Sequence, residues 1–248
     1  MVTYPELKYR IKEFFVFSPR ELRDLFIAMA VVTFAFAYDD KTEVFQLGHW
    51  IFNYIKIFFI VALAFFFHES AHKIMGLSLG IRTEFKLWTL GMYITLLCTF
   101  LFQGKIYIIL TGGITFFHMA IQRLGHFRYG LNLLSCGIIG AMGPVANLVM
   151  ATLWETIALM GIMPEFFHQM TFINLYYAVF SMLPLPNLDG MSLFAASRMN
   201  YVFFFSILIC YIVLFVLGIY SLIWALILAG AIWAGYWYYI EQGFRGLD

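Results

Sequence analysis

Met199–Ile240 reads MNYVFFFSILICYIVLFVLGIYSLIWALILAGAIWAGYWYYI, 42 consecutive residues without an Asp, Glu, Lys or Arg. A helical span needs about 20 predominantly apolar residues, so this run is long enough to cross a bilayer twice. Further uncharged stretches lie upstream at Leu25–Tyr38, Ile57–Phe67, Leu87–Gly104, Ile106–Gln122, Tyr129–Trp154 and Phe166–Leu188. Across its 248 residues the chain is 63% hydrophobic and 12% charged, where soluble domains run to about 45–50% apolar and about 25% charged. A water-soluble domain is thereby excluded, and the pattern predicts an all-α polytopic protein embedded in the lipid bilayer. The 15 Lys and Arg balance 14 Asp and Glu, which leaves no basic surplus for phosphates and excludes nucleic acid as a partner. Cys98, Cys136 and Cys210 sit apart in apolar runs and read as packing residues, neither a disulfide framework nor a C-x-x-C site.

The loop charges orient the spans. Lys8, Arg10, Lys12, Arg20 and Arg23 precede a first span at 25–38 and place the amino terminus in the cytoplasm. The segment before this span is mixed in charge and lacks the pattern of a secretory signal. After a loop carrying Asp39, Asp40, Lys41 and Glu43, a second span at about 50–75 returns toward Lys73, Arg82 and Lys86. Residues 87–122 are apolar but interrupted by glycines, and Ile106–Thr111 is rich in β-branched residues, which favour a strand. Two readings fit: a pair of short helices, or a re-entrant, β-like element between the second and third spans that protein must shield from lipid. A basic segment at 123–128 precedes a span at about 131–160, whose outer loop, 161–165, has no Lys or Arg. A span at about 166–182 comes back and is broken by Pro184 and Pro186. A closing pair within 201–239 leaves Arg245 in the cytoplasm, for about six spans in all. No repeat or linker divides residues 1–248, which are expected to form one membrane-embedded domain.

The second span carries His68–Glu69–Ser70–Ala71–His72 near its cytoplasmic end. Positions four apart share one helix face, so both imidazoles can grip one metal ion while Glu69 stands on the flank. With 6 His in the chain, H-E-x-x-H arises by chance roughly once in two hundred sequences of this composition. Three ionisable groups within five residues of a span also need a compensating partner, which a divalent cation supplies. Catalytic zinc takes three protein ligands and an open position for water, so a third ligand must come from elsewhere. Asp189, which follows the proline-broken helix in Leu183–Pro184–Leu185–Pro186–Asn187–Leu188–Asp189–Gly190, lies at the same predicted depth as His72. His49, His118, His126 and His168 have no partner at ligand spacing and read as packing or interfacial residues. Glu155 and Asn174 read as interhelical hydrogen-bonding residues.

The pairing of H-E-x-x-H with a downstream L-P-x-P-x-x-D-G resembles the site-2 protease family of intramembrane zinc metalloproteases. Between these motifs, Ala141–Met142–Gly143–Pro144–Val145–Ala146–Asn147 is similar to the family's A-G-P-x-x-N. The resemblance covers about residues 50–195 and implies that His68, His72 and Asp189 bind one Zn2+, that Glu69 is the catalytic base, and that Asn147 binds substrate backbone or steadies the oxyanion. It implies supporting places for Ser181, Pro184, Pro186 and Gly190. The chain departs from the family where Ser181 stands for the Asn of N-x-x-P and where Met191 replaces a second glycine; no soluble stretch is long enough for the family's PDZ module. The implied activity is hydrolysis of peptide bonds in membrane-anchored protein substrates near the cytoplasmic face. Such a substrate must unwind before attack, and Ile106–Thr111 offers an expected strand edge to receive it. Two alternatives share the membrane helices and the paired histidines. A membrane zincin of the prenyl-protein protease type usually recruits a downstream Glu, whereas this chain offers Asp189. A metal-binding transporter or inactive homologue has no need of Glu69.

Overall fold

The computed structural model describes residues 3–39, 45–119 and 131–242. The loop residues Asp40, Lys41 and Glu43, the basic segment 123–128 with His126, and Arg245 lie outside the described residues.

The chain opens with a short surface helix, α1 (Tyr4–Phe14), and turns into α2 (Pro19–Ala37) through a capping box: Ser18 Oγ accepts from the Glu21 amide and Glu21 Oε2 accepts from the Ser18 amide. Ser-x-x-Glu with Pro at the first helical position is a local start signal. It begins α2 six residues before the apolar run at 25–38. The 33-residue α3 (Leu47–Leu79) ends at Gly80, whose φ of 77° is the left-handed value that only glycine adopts without cost. The remaining helices are α4 (Thr89–Leu101), α5 (Leu133–Leu159), α6 (Pro164–Ser181), α7 (Asp189–Ala196), α8 (Arg198–Val216) and α9 (Leu222–Tyr236), the last continued by a π-helical turn, Trp237–Glu241.

The fold is mostly helical but not all-α. Strand β1 (Ile81–Leu87) pairs antiparallel with β2 (Gly112–His118), with Phe85 opposite Ile114. A β element therefore does lie between α3 and α5, but not at Ile106–Thr111, which belongs to neither strand. Ile109 and Leu110 are buried in the core, the Leu110 amide donates to Thr95 Oγ1, and Thr111 O accepts from the Trp88 amide. Tertiary burial outweighs β-propensity there. The strand signal lies instead in Ile81–Arg82–Thr83–Glu84–Phe85–Lys86–Leu87, whose strict alternation places Ile81, Thr83 and Phe85 inward. Arg82 and Lys86, expected in a cytoplasmic loop, are the outward half of that alternation.

Among the described residues four helical stretches are long and apolar enough to cross a membrane: Leu47–Leu79, Leu133–Leu159, Arg198–Val216 and Leu222–Glu241. The expected six spans are not all among them. α2 carries Arg20, Glu21, Arg23 and Asp24 near its start, and α6 has 18 residues that include Glu165, His168 and Gln169. α6 lies between two apolar clusters. Ile173 and Tyr177 join Val32, Ile60 and Phe65 of α2 and α3, while Leu175 and Ala178 join Leu148 of α5 and Leu208 of α8. This central helix delivers the chain, through a proline-containing turn, to α7 and Asp189.

Candidate metal centre

Three helices and the β-ribbon meet at His68, His72 and Asp189. All three side chains are buried, and each offers a ligand atom within 4.8 Å of the others. α3 supplies the imidazoles from one face, with ring centroids 4.7 Å apart. His68 is braced by the tilted ring of Tyr177 at 4.4 Å, and Tyr177 stacks on Phe65. His72 Nδ1 lies 2.7 Å from Ile139 O. A carbonyl only accepts, so Nδ1 carries the proton and Nε2 presents its lone pair.

Asp189 is the first residue of α7. Its Oδ1 accepts from the Ile114 amide at 3.2 Å, and its Oδ2 lies 2.9 Å from His68 Nε2 and 3.4 Å from His72 Nε2. Met182 O would lie 2.0 Å from any Cβ at Gly190, so only glycine lets the loop after α6 fold back to bring Asp189 inward. Pro184 and Pro186 are exposed on that loop.

Two observations fit this set to a divalent cation. The lone pair of His72 Nε2 faces a carboxylate oxygen and has no hydrogen-bond partner; two buried electron-rich atoms repel unless a cation lies between them. Beside them, α5 approaches at Gly143, where a Cβ would lie 2.2 Å from His72 Nε2 and 2.5 Å from His68 Nε2. The missing methyl leaves room where both nitrogens point. Two neutral imidazoles and one carboxylate are a zinc-type donor set and leave a divalent ion a net positive charge.

Glu69 is buried and is not in the ligand group. Among the described residues it is the one ionisable side chain lining an apolar groove of about 590 Å3 between α2 and α3, whose walls include Leu22, Phe26, Met29, Phe59 and Leu63. Asn147 lies one turn beyond Gly143 on the same face of α5. It is fully buried, and neither of its amide atoms has a partner, so it holds two unspent hydrogen-bonding groups. Ser181 Oγ donates to Ala178 O of its own helix. That bond occupies the hydroxyl within α6.

Outside the centre, Glu155 pairs with His168 across α5 and α6 at 2.9 Å, as an interhelical role requires, while Asn174 Nδ2 donates within α6 to Met170 O. The packing partner Tyr177 carries no motif that singles it out, whereas Gly143 is the glycine of the A-G-P-x-x-N-like stretch, which assigns it no role of its own. The pair Glu21 and Lys73 is described below; of the two, Glu21 has a legible signal, the capping box.

No protein-family model and no solved structure matches the chain. It is 27% identical over 197 residues, 71% of its own length and 84% of the relative's, to "Putative zinc metalloprotease MJ0611" of Methanocaldococcus jannaschii.

Proposed function

We propose that the protein is a zinc metalloendopeptidase that hydrolyses peptide bonds in membrane-anchored substrates, of the site-2 protease type. The observation that carries this reading is the convergence of His68, His72 and Asp189 beside Glu69. The name of the archaeal relative points the same way. In this reading α2, α3, α5, α6, α8 and α9 are six spans, with the centre and both termini toward the cytoplasm. In support, the ligand-bearing part of α3, the start of α5 and the turn after α6 all fall at one end of the bundle.

His68, His72 and Asp189 would hold the zinc ion, which would supply an acidified water and Lewis-acid polarisation of a carbonyl. The other parts are the chain's own. His72 is locked by Ile139 O in the tautomer that offers Nε2, and Ile114 holds Asp189 by one oxygen so that the other faces the imidazoles. Glu69 takes the proton of the attacking water and returns it to the leaving amine as the C–N bond breaks. Asn147 offers its unspent amide to substrate backbone or to the developing oxyanion. The apolar groove between α2 and α3 excludes water around Glu69 and suits the approach of an apolar segment from the bilayer.

The test is a panel of transmembrane peptides in detergent, incubated with wild-type protein, with chelator, and with chelator followed by zinc. Cleavage that stops with chelator and returns with zinc is expected. Stoichiometric zinc without cleavage of any peptide would favour a metal-holding, non-hydrolytic role instead.

The ribbon supplies an edge for an unwound substrate. The Phe85 and Ile114 amides each bond away from the partner strand, so this is a non-hydrogen-bonded pair, as is Thr83 with Phe116 two residues on. The Ile114 carbonyl and the Phe116 amide therefore point outward on the β2 edge, next to Asp189. Phe116→Pro removes that outward donor without removing a ladder bond. It is expected to slow cleavage of a membrane-embedded peptide about tenfold, the worth of one hydrogen bond, while zinc content stays constant. Unchanged turnover would remove the β2 edge from the reaction.

A further inference from the structure

Glu21 and Lys73 form an ion pair that is 2% and 4% exposed, between the start of α2 and the residue after His72. Every polar group of the pair is engaged. Lys73 Nζ lies 2.9 Å from the Glu21 carboxylate, donates to Thr83 O at 3.0 Å and to Val16 O at 3.3 Å, and sits 4.5 Å above the Phe17 ring. Glu21 accepts from the Phe85 amide at 2.9 Å and from the Ser18 amide at 3.3 Å. A buried pair of this kind is often replaceable by apolar residues without loss of stability, so stability alone does not account for it.

The register shows what the pair holds. Thr83 O and Phe85 N are two of the outward groups of the β1 edge that a third strand would bond, and Lys73 and Glu21 take these two. Directly opposite Phe85 is Ile114, whose outward amide on the β2 edge holds Asp189 Oδ1. The two-stranded ribbon is thus clamped on one edge by charges from α2 and α3 and carries a candidate metal ligand on the other edge at the same register position. Lys73 rides on the same helix as both imidazoles. A shift of the ribbon relative to α3 would therefore move the Ile114 amide that holds Asp189 Oδ1.

We propose that Glu21 and Lys73 are positioning residues for the metal centre, holding the ribbon so that Asp189 meets the two imidazoles. This rests on the reading of the three residues as a metal site. The experiment therefore reads both zinc affinity, by competition with a chelator, and amide exchange of peptides covering residues 112–118 in metal-free protein. The second readout needs no metal.

Two double variants of the full chain are compared. Glu21→Leu with Lys73→Met keeps an apolar, foldable pair and removes the acceptor for Phe85. Glu21→Gln with Lys73→Met removes the charges but keeps an acceptor. The Leu/Met variant is expected to bind zinc at least about tenfold more weakly, the usual cost of losing support behind a ligand, and to exchange faster at Ile114. The Gln/Met variant is expected to recover most of both. A pair with a merely structural role would lower the melting temperature of both variants and leave zinc affinity of the folded protein unchanged. The proposal is overturned if the Leu/Met variant keeps wild-type zinc affinity and wild-type exchange. Wild-type protein that binds no zinc, with exchange at Ile114 still dependent on the pair, would count against the metal reading while leaving the clamp in place.

Discussion

Glu69→Gln is expected to lower peptide hydrolysis by about 10²–10⁴-fold, the contribution of a positioned general base, with zinc content at the wild-type level. The two readouts separate because of geometry. In the proposed site the ligand atoms come from His68, His72 and Asp189, the group placed to hold a metal ion, and Glu69 is outside it. Glutamine matches its volume, so the wall of the α2–α3 groove is kept. An amide cannot accept a proton at neutral pH, so the water keeps its proton and the leaving amine receives none. Turnover of a transmembrane peptide and zinc per chain, measured on the same preparation, check this. Loss of zinc in the variant would make Glu69 a ligand, and undiminished turnover would assign the base elsewhere.

Gly143→Ala is the second large effect expected, and its sign runs against helix propensity. In an exposed helix interior alanine is favoured over glycine by about 0.8–1 kcal/mol. At Gly143 the added methyl would lie 2.2 Å from His72 Nε2 and 2.5 Å from His68 Nε2, well inside contact distance. It would occupy the space beside both ring nitrogens. Relaxation must push α5 from α3, and overpacking of this kind costs about 1–3 kcal/mol. Hydrolysis and zinc retention against a chelator are expected to fall together, unlike the split expected of Glu69→Gln. Wild-type zinc retention in Gly143→Ala would show that no ion sits between the imidazoles and α5.

His68, Glu69 and His72 were legible because helix periodicity converts a spacing of four into a shared face, with no knowledge of the rest of the fold. Asp189 was legible in part: the proline-broken segment put it at the right depth, but Gly190 and the Ile114 amide decide its direction. The helix at 19–37 was placed late because the apolar run was read and the capping box at Ser18 was not. The strands were missed for a related reason. Composition favoured Ile106–Thr111, whereas a strand buried on one face is marked by alternation, which Ile81–Leu87 has.

Hydrophobic runs, loop charges and local spacing are properties of neighbours along the chain. A helical, membrane-type architecture and a pair of imidazoles with an adjacent carboxylate on one helix can therefore be read along the chain. The meeting of distant segments is set by packing, which no local pattern encodes. Packing brings Asp189, 117 residues beyond His72, to both rings, leaves space beside them at Gly143, and sets Glu21 and Lys73 against the ribbon edge opposite Ile114. Each of these depends on a close approach between elements remote in sequence, and such an approach is favoured only once the intervening helices have buried their apolar faces together.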